Sequence, residues 1–566
     1  MRSTTLVLVL MLAAGSIPAA TVRIALVGDS TVQDESGWGP GFRASFGAPV
    51  EVVNAARGGR SSKSFLGENL WSPVLDAKPN YVLIQFGHND EPGKGPDRET
   101  DPKTTFRANM IRYIDEARAI DATPVLVTSI VRRNFGPDGK LRPDKLVGYV
   151  EEVRRLAAEK HVLLIDLYTL TKAQAEQLGD PGAESLGSKS PDVKQDHTHL
   201  GPRGAQEIGA MAAAELVKVA PQLKPYFHTM VSWKNAMRQP PAWYGGAEAI
   251  RIADNLLIYQ HNNGGWEKNI DMAIPLSQKS RGEVEKRKSE AHTTIDNDAT
   301  YTQMQFLARI YGAAKQEKYR TSFEKGLNYL LEAQYPNGGW PQFYPLRKGY
   351  WSHITYNDDA MVGVLETLRP IVGNAPGYEF IADATRTRAR MALDRGIECI
   401  LKTQVTMNGK LTVWCAQHDE KTLAPAKARS YELPSLSGSE SAGIVKFLMG
   451  IDHPSPEIVR AVQGAAAWFK ESRITGIGLE RKPAPGMPKG FDQVVVPDAA
   501  APPLWARFYE LNTNRPMFSG RDGIVKYSVA EIEYERRNGY RWYVDRPAKL
   551  LSDDYPKWAA KWAPGK

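Results

Sequence analysis

The sequence contains little cysteine, no long apolar run and no concentrated run of basic residues. Among its 566 residues only Cys399 and Cys415 are cysteines, and in an oxidising compartment they could pair or remain as two buried free thiols. The apolar run from Leu6 to Ala14 is too short to span a membrane. The net charge of +8 is spread along the chain, which argues against a nucleic-acid-binding arm and suits a polyanionic partner.

The N-terminal segment has the composition of a secretory signal peptide. Arg2 precedes the apolar run, and small residues follow it up to Ala20. We therefore predict that residues 1–20 are a cleaved signal peptide and that the mature chain is secreted or periplasmic. No cysteine lies near the expected cleavage point, so the sequence predicts no lipid anchor to a membrane.

The first part of the mature chain alternates between strand-like and helical stretches. A chain of 566 residues is too long for a single core and predicts two or more domains. From Val22 to about residue 220, apolar runs such as "VRIALVGD", "YVLIQFG" and "TPVLVTSI" are separated by helical stretches. This alternation predicts a parallel sheet covered by helices on both faces, an α/β/α domain. We assign residues 21–221 to this domain and residues 222–231, which include Pro225, to a short linker.

The remaining residues, 232–566, show helical periodicity and an internal repeat. The segments "ADNLLIYQHNNGGW", "GLNYLLEAQYPNGGW" and "GIECILKTQVTMNGKLTVW" each end a helix at a glutamine, turn, and reach a tryptophan. The glutamines are Gln260, Gln334 and Gln404. A second helix follows each unit, and stacked helix pairs bury a core only against their neighbours. The sequence therefore predicts an all-α second domain, an α/α toroid.

Four short blocks of the first domain hold the residue types of an acyl-transfer site. The run "IALVGDSTVQ" contains Ser30 at a predicted strand end, and "NAARGGRSSKSF", "FGHND" and "DHTHLG" contribute Gly59, Asn89, Asp196 and His199. Ester hydrolysis needs a nucleophile, a base, an acid that orients the base, and donors for an oxyanion. Gly-Asp-Ser alone is ordinary turn chemistry, so the interpretation depends on the four blocks occurring together.

These blocks resemble those of the SGNH, or GDSL-like, hydrolases, and within that group most the rhamnogalacturonan acetylesterases. The resemblance covers roughly residues 22–220. It implies that Ser30 is the nucleophile, that His199 is the base, and that Asp196 orients His199. It also implies an oxyanion hole made by the amides of Ser30 and Gly59 and the side chain of Asn89. The implied reaction removes an acetyl ester from a sugar and needs no cofactor.

Carboxylates occur at matched repeat positions in the second domain. Asp296 and Asp298 in "TIDNDATYTQM", and Asp358 and Asp359 in "YNDDAMV", stand before predicted helices. Each aspartate could cap the N-terminus of its helix. Because the four lie at equivalent positions of the repeat, they could instead supply oxygen ligands to a hard cation.

Aromatic and basic residues are mixed in the loops after the repeat glutamines. Trp266 lies in "NNGGWEKNIDM" and Trp340 in "NGGWPQFYPLRKGYW". Tryptophans of this kind pack in the core or stack on sugar rings, and arginine forks bind carboxylates. We interpret the mixture as an open groove for a uronate polymer, with Trp266 and Trp340 among its substrate-binding residues.

The second domain also contains longer blocks of characteristic sequence. They include "NNGGWEKN", "TIDNDATYTQM", "WCAQHDEKTLAPAKARSYELPS" and "FSGRDGIVKYSVAEIEYERRNGY". These blocks resemble those of the pectate lyases of polysaccharide lyase family 10. The resemblance implies an (α/α)3 toroid and calcium-assisted β-elimination of polygalacturonate, with the four aspartates at the calcium and substrate centre. It implies Arg429 as the catalytic base and either Arg515 or Arg521 as a substrate-binding residue.

An arginine base places a condition on the reaction. The pKa of arginine exceeds about 12, so this role implies an alkaline working pH or a strongly cationic pocket. The alternative is that Arg429 only binds a substrate carboxylate.

The two domains together predict a monomeric, bifunctional, secreted enzyme that acts on pectin, polygalacturonate and acetylated pectic polysaccharide. Deacetylation would remove groups that obstruct the lyase groove, and the covalent link would keep both activities on one polymer. Two alternatives stay open. The first domain could deacetylate another glycan, such as xylan or rhamnogalacturonan, or it could be a degenerate domain that only binds polysaccharide.

Overall fold

The computed structural model describes residues 21–47, 49–136, 138–188, 196–276, 278–484, 486–487 and 489–563. The predicted signal peptide lies outside the described residues. Contacts between Cα atoms divide the chain into two compact units. The first runs to Trp233 and includes Ala273–Arg281, and the second comprises Lys234–Met272 and the chain from Gly282. Within the described ranges, no helix is both long and apolar enough to cross a membrane.

A five-stranded parallel sheet forms the centre of the first unit. Its strands are β1 Val22–Gly28, β2 Val50–Asn54, β3 Tyr81–Gln85, β4 Thr123–Val127 and β5 Leu163–Ile165. Their order across the sheet is β2-β1-β3-β4-β5, so β1 has a parallel neighbour on each side. Strand β1 is apolar without alternation because both of its faces are buried: Ile24 and Leu26 join one core, and Ala25 and Val27 join the other.

Helices cover both faces of this sheet, as the sequence predicts. They are α1 Gly39–Ala44, α2 Ser62–Gly67, α3 Ser72–Asp76, α4 Arg107–Ala119, α5 Val147–Glu159, α6 Leu167–Glu184 and α7 Pro202–Val219. One core contains Phe42 of α1 and Leu216 of α7, and the other contains Tyr113 of α4 and Leu156 of α5.

The first unit extends beyond the predicted boundary at residue 221. Residues Pro221–Tyr226 form a 3-10 helix, and Phe227 pairs with Phe46 in an isolated β-bridge. The imidazole of His228 contacts the Ala44 carbonyl oxygen at 2.8 Å. The start of the predicted linker is therefore packed on the first unit.

The second unit is mainly helical. Its helices, with α8 and α10 at the division between the units, are α8 Trp233–Ala236, α9 Ala247–Tyr259, α10 Gln278–Lys286, α11 Tyr301–Ala314, α12 Glu317–Ala333, α13 Ala360–Val372, α14 Asp383–Thr403, α15 Glu440–Met449, α16 Pro456–Glu471, α17 Tyr534–Gly539, α18 Arg546–Lys549 and α19 Tyr555–Trp562. Helices α9, α12, α14 and α16 pack side by side in chain order, and α11, α13 and α15 do the same. Pairs such as α11 and α12 join these two layers.

Each repeat glutamine links neighbouring helices of the first layer. Its Nε2 atom donates to one carbonyl in its own turn and to one carbonyl on the next helix of the layer, at 2.8–3.0 Å. The acceptors are Gly264 and Ser322 for Gln260, Gly338 and Ala392 for Gln334, and Thr412 and Ala461 for Gln404. The repeat in the sequence is therefore a repeat of interhelical hydrogen bonds.

Short strands add to the helices of the second unit. They are β6 Ile354–Thr355, β7 Thr406–Met407, β8 Lys410–Leu411, β9 Gln417–His418, β10 Leu436–Ser437, β11 Ile477–Pro483, β12 Phe491–Pro497, β13 Trp505–Ala506, β14 Phe508–Tyr509, β15 Pro516–Ser519, β16 Val525–Lys526 and β17 Tyr543–Val544. Strands β11 and β12 form an antiparallel hairpin, and β10, β14, β15 and β16 form a four-stranded sheet. The sequence predicts an all-α second domain and does not predict these strands.

Both cysteines are buried free thiols. Cys399 lies on α14, and Cys415 follows the third repeat tryptophan. The structure therefore has the second of the two predicted alternatives, and burial raises the pKa of the Cys399 thiol to about 11.

Candidate active sites

Ser30 lies in the turn that follows β1. A Cβ atom at Gly28 would come within 2.6 Å of the Gln85 carbonyl oxygen, so glycine is required where β1 passes β3. The buried Asp29 carboxylate accepts hydrogen bonds from the Thr31 amide at 2.8 Å and the Thr31 hydroxyl at 2.7 Å. The Gln85 side chain donates to the same hydroxyl at 2.7 Å. These bonds fix the turn and leave Ser30 partly exposed.

Ser30, His199 and Asp196 form a continuous hydrogen-bonded chain. The Ser30 Oγ atom lies 2.9 Å from His199 Nε2, and His199 Nδ1 lies 2.7 Å from Asp196 Oδ2. Asp196 Oδ1 accepts the amides of Thr198 and His199 at 2.9 and 2.8 Å. Burial raises the pKa of Asp196, but these hydrogen bonds outweigh burial and hold that pKa below its usual value. The arrangement is that of a serine nucleophile with a histidine base and an ionised orienting acid.

The predicted oxyanion donors Gly59 and Asn89 lie in the sequence blocks that follow β2 and β3. Gly59 has φ +78°, a conformation that favours glycine. The Gly58 amide donates to Gln33 Oε1 at 2.7 Å, whereas the Gly59 amide has no acceptor among the described residues. The Asn89 side chain donates to the Arg60 carbonyl oxygen at 3.2 Å. Gly59 rather than Gly58 therefore has an amide available for a ligand.

Arg133, which the sequence analysis does not identify, holds the turn that carries the acid and the base. Its guanidinium donates to the carbonyl oxygens of Asp196 at 3.1 Å and His199 at 2.7 Å. Its own amide donates to the His197 carbonyl at 2.8 Å. Arg133 is only 3% exposed, and burial lowers its pKa to about 10. An arginine shortly after β4 gives no sequence signal for this role, because the carbonyls that it binds are 63 and 66 residues away.

In the second unit, Asp296 is buried beside a lysine. It forms an ion pair with Lys268 and accepts a hydrogen bond from the Gln342 side chain at 2.6 Å. Its other oxygen, Oδ1, is buried and has no partner. Asp298 accepts a hydrogen bond from the Tyr301 hydroxyl at 2.7 Å.

Asp358 and Asp359 occupy the equivalent position before α13. Arg507 lies 3.3 Å from Asp358, and Arg546 lies 2.7 Å from Asp359. Burial raises the pKa of Asp359, although Arg546 opposes this rise. Asp298, Asp358 and Asp359 all have positive φ, a strained conformation that is common at functional sites.

The helix-capping alternative for these aspartates is wrong. The N-cap of α11 is Thr300 and that of α13 is Asp359, and neither side chain caps its helix. The four aspartates also do not form one ligand group. Within the described part of the chain, only His353, Asp419 and Glu420 bring three ligand atoms of histidine, cysteine or acidic side chains within 4.8 Å of one another. The calcium site stays a prediction.

Arg429 forms a two-point ion pair with a buried glutamate. Its Nε atom donates to Glu432 Oε2 at 2.7 Å, its Nη2 atom contacts Glu432 Oε1, and its amide donates to Oε2 at 3.2 Å. The Tyr540 hydroxyl donates to Glu432 Oε1 at 2.8 Å. Burial lowers the pKa of Arg429, but the pairing with Glu432 outweighs it and raises that pKa above its ordinary value.

Four arginines lie around two tyrosines here, and we call them together the arginine–tyrosine cluster: Arg429, Arg507, Arg521, Arg536, Tyr431 and Tyr540. The guanidinium of Arg429 lies 5.1 Å from the Tyr431 ring centre, and that of Arg521 lies 5.7 Å from the same ring. Arg507 lies 4.7 Å from the Tyr540 ring centre. Arg507 is missed by the sequence analysis; it is buried and forms an ion pair with Glu440 as well as with Asp358.

The two candidate substrate arginines lie on different tyrosines. Arg521 belongs to the arginine–tyrosine cluster and pairs with Glu535 at 3.1 Å. Arg515 instead stacks on Tyr527, with its guanidinium 3.4 Å from the ring centre. Of the two, Arg521 is therefore the one that shares an aromatic partner with Arg429.

The prediction that Trp266 and Trp340 bind substrate is wrong. Both side chains are 0% exposed, so neither can stack on a sugar ring. Each indole Nε1 donates to a carbonyl of the preceding helix, Leu256 at 2.9 Å for Trp266 and Leu330 at 2.7 Å for Trp340. The third repeat tryptophan makes the same bond to Ile400 at 2.7 Å.

Two family models match this chain, one in each of its two parts. The family model described as GDSL-like lipase/acylhydrolase matches residues 25–207, and the one described as pectic acid lyase matches residues 260–551. The rhamnogalacturonan acetylesterase RhgT of Bacillus subtilis (strain 168) is 33% identical over 222 residues, which are 36% of this chain and 94% of that protein. The rhamnogalacturonan acetylesterase of Emericella nidulans is 31% identical over 221 residues, which are 34% of this chain and 84% of that protein.

Among solved structures, the family 10 polysaccharide lyase from Cellvibrio cellulosa is 36% identical and covers 59% of this chain and 98% of its own, with a TM-score of 0.46. The folds, sites and matches define a two-domain enzyme, a carbohydrate esterase fused to a polysaccharide lyase. The chain belongs to the pectic acid lyase family and has a GDSL-type domain of the rhamnogalacturonan acetylesterase kind ahead of its lyase domain.

We expect Arg133→Met to lower kcat for acetate release about 100-fold, because small displacements of a catalytic group cost rates of this order. Arg133→Lys should recover part of the loss, since a lysine can still donate to the turn carbonyls. Arg112→Met, which removes an exposed helix-surface arginine, is the matched control. Hydrolysis of a small acetyl ester across a pH series measures the effect. An unchanged kcat and pH profile in Arg133→Met would contradict the positioning role.

Trp340→Phe should destabilise the second unit without affecting substrate binding. The substitution leaves the Leu330 carbonyl without its donor and reduces the packed volume, so we expect a loss of about 1–3 kcal/mol in the free energy of unfolding. Denaturant unfolding and the KM for polygalacturonate measure the two effects, and the half-buried Trp562 changed to Phe is the control. A large rise in KM with unchanged stability would restore the substrate-stacking role.

Proposed function

We propose that this enzyme deacetylates acetylated pectic polysaccharide and cleaves (1,4)-α-D-galacturonan by calcium-dependent β-elimination. The observation that carries the first activity is the hydrogen-bonded chain Ser30–His199–Asp196, with distances of 2.9 and 2.7 Å. An intact chain of this kind argues against a degenerate domain that only binds polysaccharide. The named rhamnogalacturonan acetylesterases among the relatives support a pectic substrate over xylan.

The proposed deacetylation follows the acyl-transfer scheme. His199 takes the proton of Ser30 as the hydroxyl attacks the acetyl carbonyl, and Asp196 stabilises the imidazolium that forms. The amides of Ser30 and Gly59 and the Asn89 side chain would hold the oxyanion. His199 then returns the proton to the sugar oxygen that leaves. A water activated by His199 releases acetate and restores Ser30.

The proposed elimination depends on a charge balance at the lyase site. A calcium ion would neutralise the uronate carboxylate and so make the C5 proton more acidic. The carboxylates before α11 and α13 are ligands of the kind that calcium prefers, and the buried, unpartnered Oδ1 of Asp296 supports a ligand at that point. Arg521 would bind a substrate carboxylate through its fork. We assign proton removal at C5 to Arg429; the electron pair of that C–H bond would form the C4–C5 double bond as the glycosidic oxygen leaves C4 and takes up a proton.

Glu432 makes it harder for Arg429 to lose a proton and act as a base. By raising the pKa of Arg429, it reduces the neutral fraction at any given pH. Of the two conditions that an arginine base implies, the alkaline working pH is the one that this environment requires. Arg507, which is paired with Glu440 and Asp358, is placed among the same aromatic rings and contributes positive charge there.

The remaining parts of the proposal concern the protein as a whole. We propose export through the signal peptide at residues 1–20, a monomeric enzyme, and closure of the two helix layers into an (α/α)3 toroid. Acetyl groups on galacturonate obstruct a lyase groove, and a tethered esterase would act at a high local concentration on the same polymer.

Two variants and two readouts test the bifunctional proposal. Ser30→Ala should lower acetate release from acetylated pectin or rhamnogalacturonan by at least about 10³-fold, as loss of a triad nucleophile does, and should keep the lyase activity. Arg429→Met should abolish formation of unsaturated uronide from polygalacturonate and keep acetate release. A calcium chelator should stop uronide formation only. Acetate release that survives in Ser30→Ala, or the absence of unsaturated product at alkaline pH with calcium, would overturn the corresponding half of the proposal.

Glu432→Gln should shift the rising limb of the lyase pH profile to lower pH. The substitution removes the carboxylate that raises the pKa of Arg429, and activity that needs neutral Arg429 rises as pH passes that pKa. The measurement is kcat for uronide formation across a pH series, with the exposed Glu457→Gln as control. If the rise of kcat with pH is unchanged in Glu432→Gln, Arg429 acts instead as a charged residue that binds a substrate carboxylate.

A further inference from the structure

A small group of metal-ligating side chains lies outside both proposed active sites. His353, Asp419 and Glu420 each offer one ligand atom, and these atoms lie within 4.8 Å of one another. All three belong to the second unit. None of them is used in the proposed elimination.

Strand pairing explains why these residues meet. In the antiparallel pair of β6 and β9, Ile354 stands opposite His418. The residues just outside this pair, His353 and Asp419, therefore face each other across the end of the ladder. Glu420 follows directly, and the Asn337 side chain donates to its backbone carbonyl at 2.8 Å.

Two buried polar atoms of this group have no hydrogen-bond partner among the described residues. They are Nδ1 of His353 and Oε2 of Glu420. Leaving one buried polar atom unpaired costs about 1–3 kcal/mol, and two such atoms at one place are rare in folded proteins. The other oxygen of Glu420 is occupied only by a long hydrogen bond from Ser352 at 3.4 Å.

Asp419 is held in place through one carboxylate oxygen, and the neighbouring His418 already has partners on both ring nitrogens. Asp419 accepts the amides of Lys421 and Thr422 at 3.0 and 2.7 Å, which fixes its carboxylate in place. These hydrogen bonds, chiefly those from Thr422, lower the pKa of Asp419. His418 is excluded as a ligand because its Nδ1 atom contacts the Leu423 carbonyl at 2.9 Å and its Nε2 atom accepts the Cys415 amide at 3.2 Å.

We propose that His353, Asp419 and Glu420 form a binding site for a divalent transition metal ion, with Zn²⁺ as the best fit. Zinc accepts both histidine nitrogen and carboxylate oxygen as ligands, the imidazole favours a transition metal over calcium or magnesium, and two carboxylates balance the charge of the ion. Water would fill the remaining coordination position. Calcium prefers six to eight oxygen ligands, so this site differs in chemistry from the proposed calcium site at Asp296.

The bound ion would join two distant segments of the chain. One is the stretch before β6 that contains His353, and the other is the turn after β9. That turn is closed by backbone hydrogen bonds between Asp419 and both Leu423 and Ala424, and the chain continues from it to Arg429. A metal cross-link here would stabilise the segment that leads to the lyase arginine without touching substrate.

Isothermal titration of the metal-stripped full chain with ZnCl₂ tests the proposal. We expect one site that is lost or weakened at least tenfold in His353→Gln and in Glu420→Gln. The matched control is His453→Gln, an exposed histidine on the same unit. Zn²⁺ should also raise the melting temperature of the wild-type chain by mass action, and less so that of the two variants. Anomalous X-ray scattering at the zinc edge would locate the ion without relying on any variant.

Three results would overturn the proposal. The first is that the wild-type chain binds no zinc at Zn²⁺ concentrations up to about 100 μM, which would saturate a site with a micromolar Kd. The second is binding that is unchanged in both variants, which would place the ion elsewhere. The third is an anomalous peak away from these three residues. Loss of zinc binding with retained uronide and acetate release would support the site independently of the proposed activities.

Discussion

Buried backbone carbonyls need hydrogen-bond donors, and in both units of this enzyme long side chains meet that need. In the first unit Arg133 donates to the carbonyls of the turn that carries Asp196 and His199. In the second unit the repeat glutamines donate to carbonyls in their own turns and on neighbouring helices, and the tryptophans donate to carbonyls in the last turn of the preceding helix. Leaving a buried carbonyl unpaired costs about as much folding free energy as several weak contacts contribute. The loops that bear functional residues are thus fixed by donors that lie elsewhere in the chain.

The parts of the structure that could be predicted from the sequence are those with local signals. The parallel sheet follows from apolar runs separated by helices, and the chain Ser30–His199–Asp196 follows from short blocks at strand and helix edges. Asp196 and His199 are three residues apart, so their pairing needs only one turn. The strands of the second unit are mostly two residues long, too short for any periodicity to reveal.

The errors have a common physical cause. The sequence of an Asn-Gly-Gly-Trp turn is the same whether the tryptophan ring faces a groove or the core. The helices that pack around the ring decide whether it is buried. The roles of Arg133 and Arg507 depend on partners far away in the chain. The capping interpretation failed at the backbone: a capping residue typically has β-region angles, whereas Asp298, Asp358 and Asp359 adopt positive φ.

The two proposed active sites contain the same local hydrogen-bonding arrangement, and it has opposite effects on the proposed base in the two sites. In each, a carboxylate three residues from the proposed base accepts both that residue's backbone amide and its side-chain nitrogen: Asp196 with His199, and Glu432 with Arg429. Histidine begins the reaction neutral and becomes charged, so a fixed carboxylate stabilises the form that the reaction creates. Arginine begins charged and must first lose a proton, so the same carboxylate opposes the step. This carboxylate arrangement therefore assists hydrolysis directly. In the lyase site it holds Arg429 in position and shifts the pH range in which Arg429 can act as a base to alkaline pH.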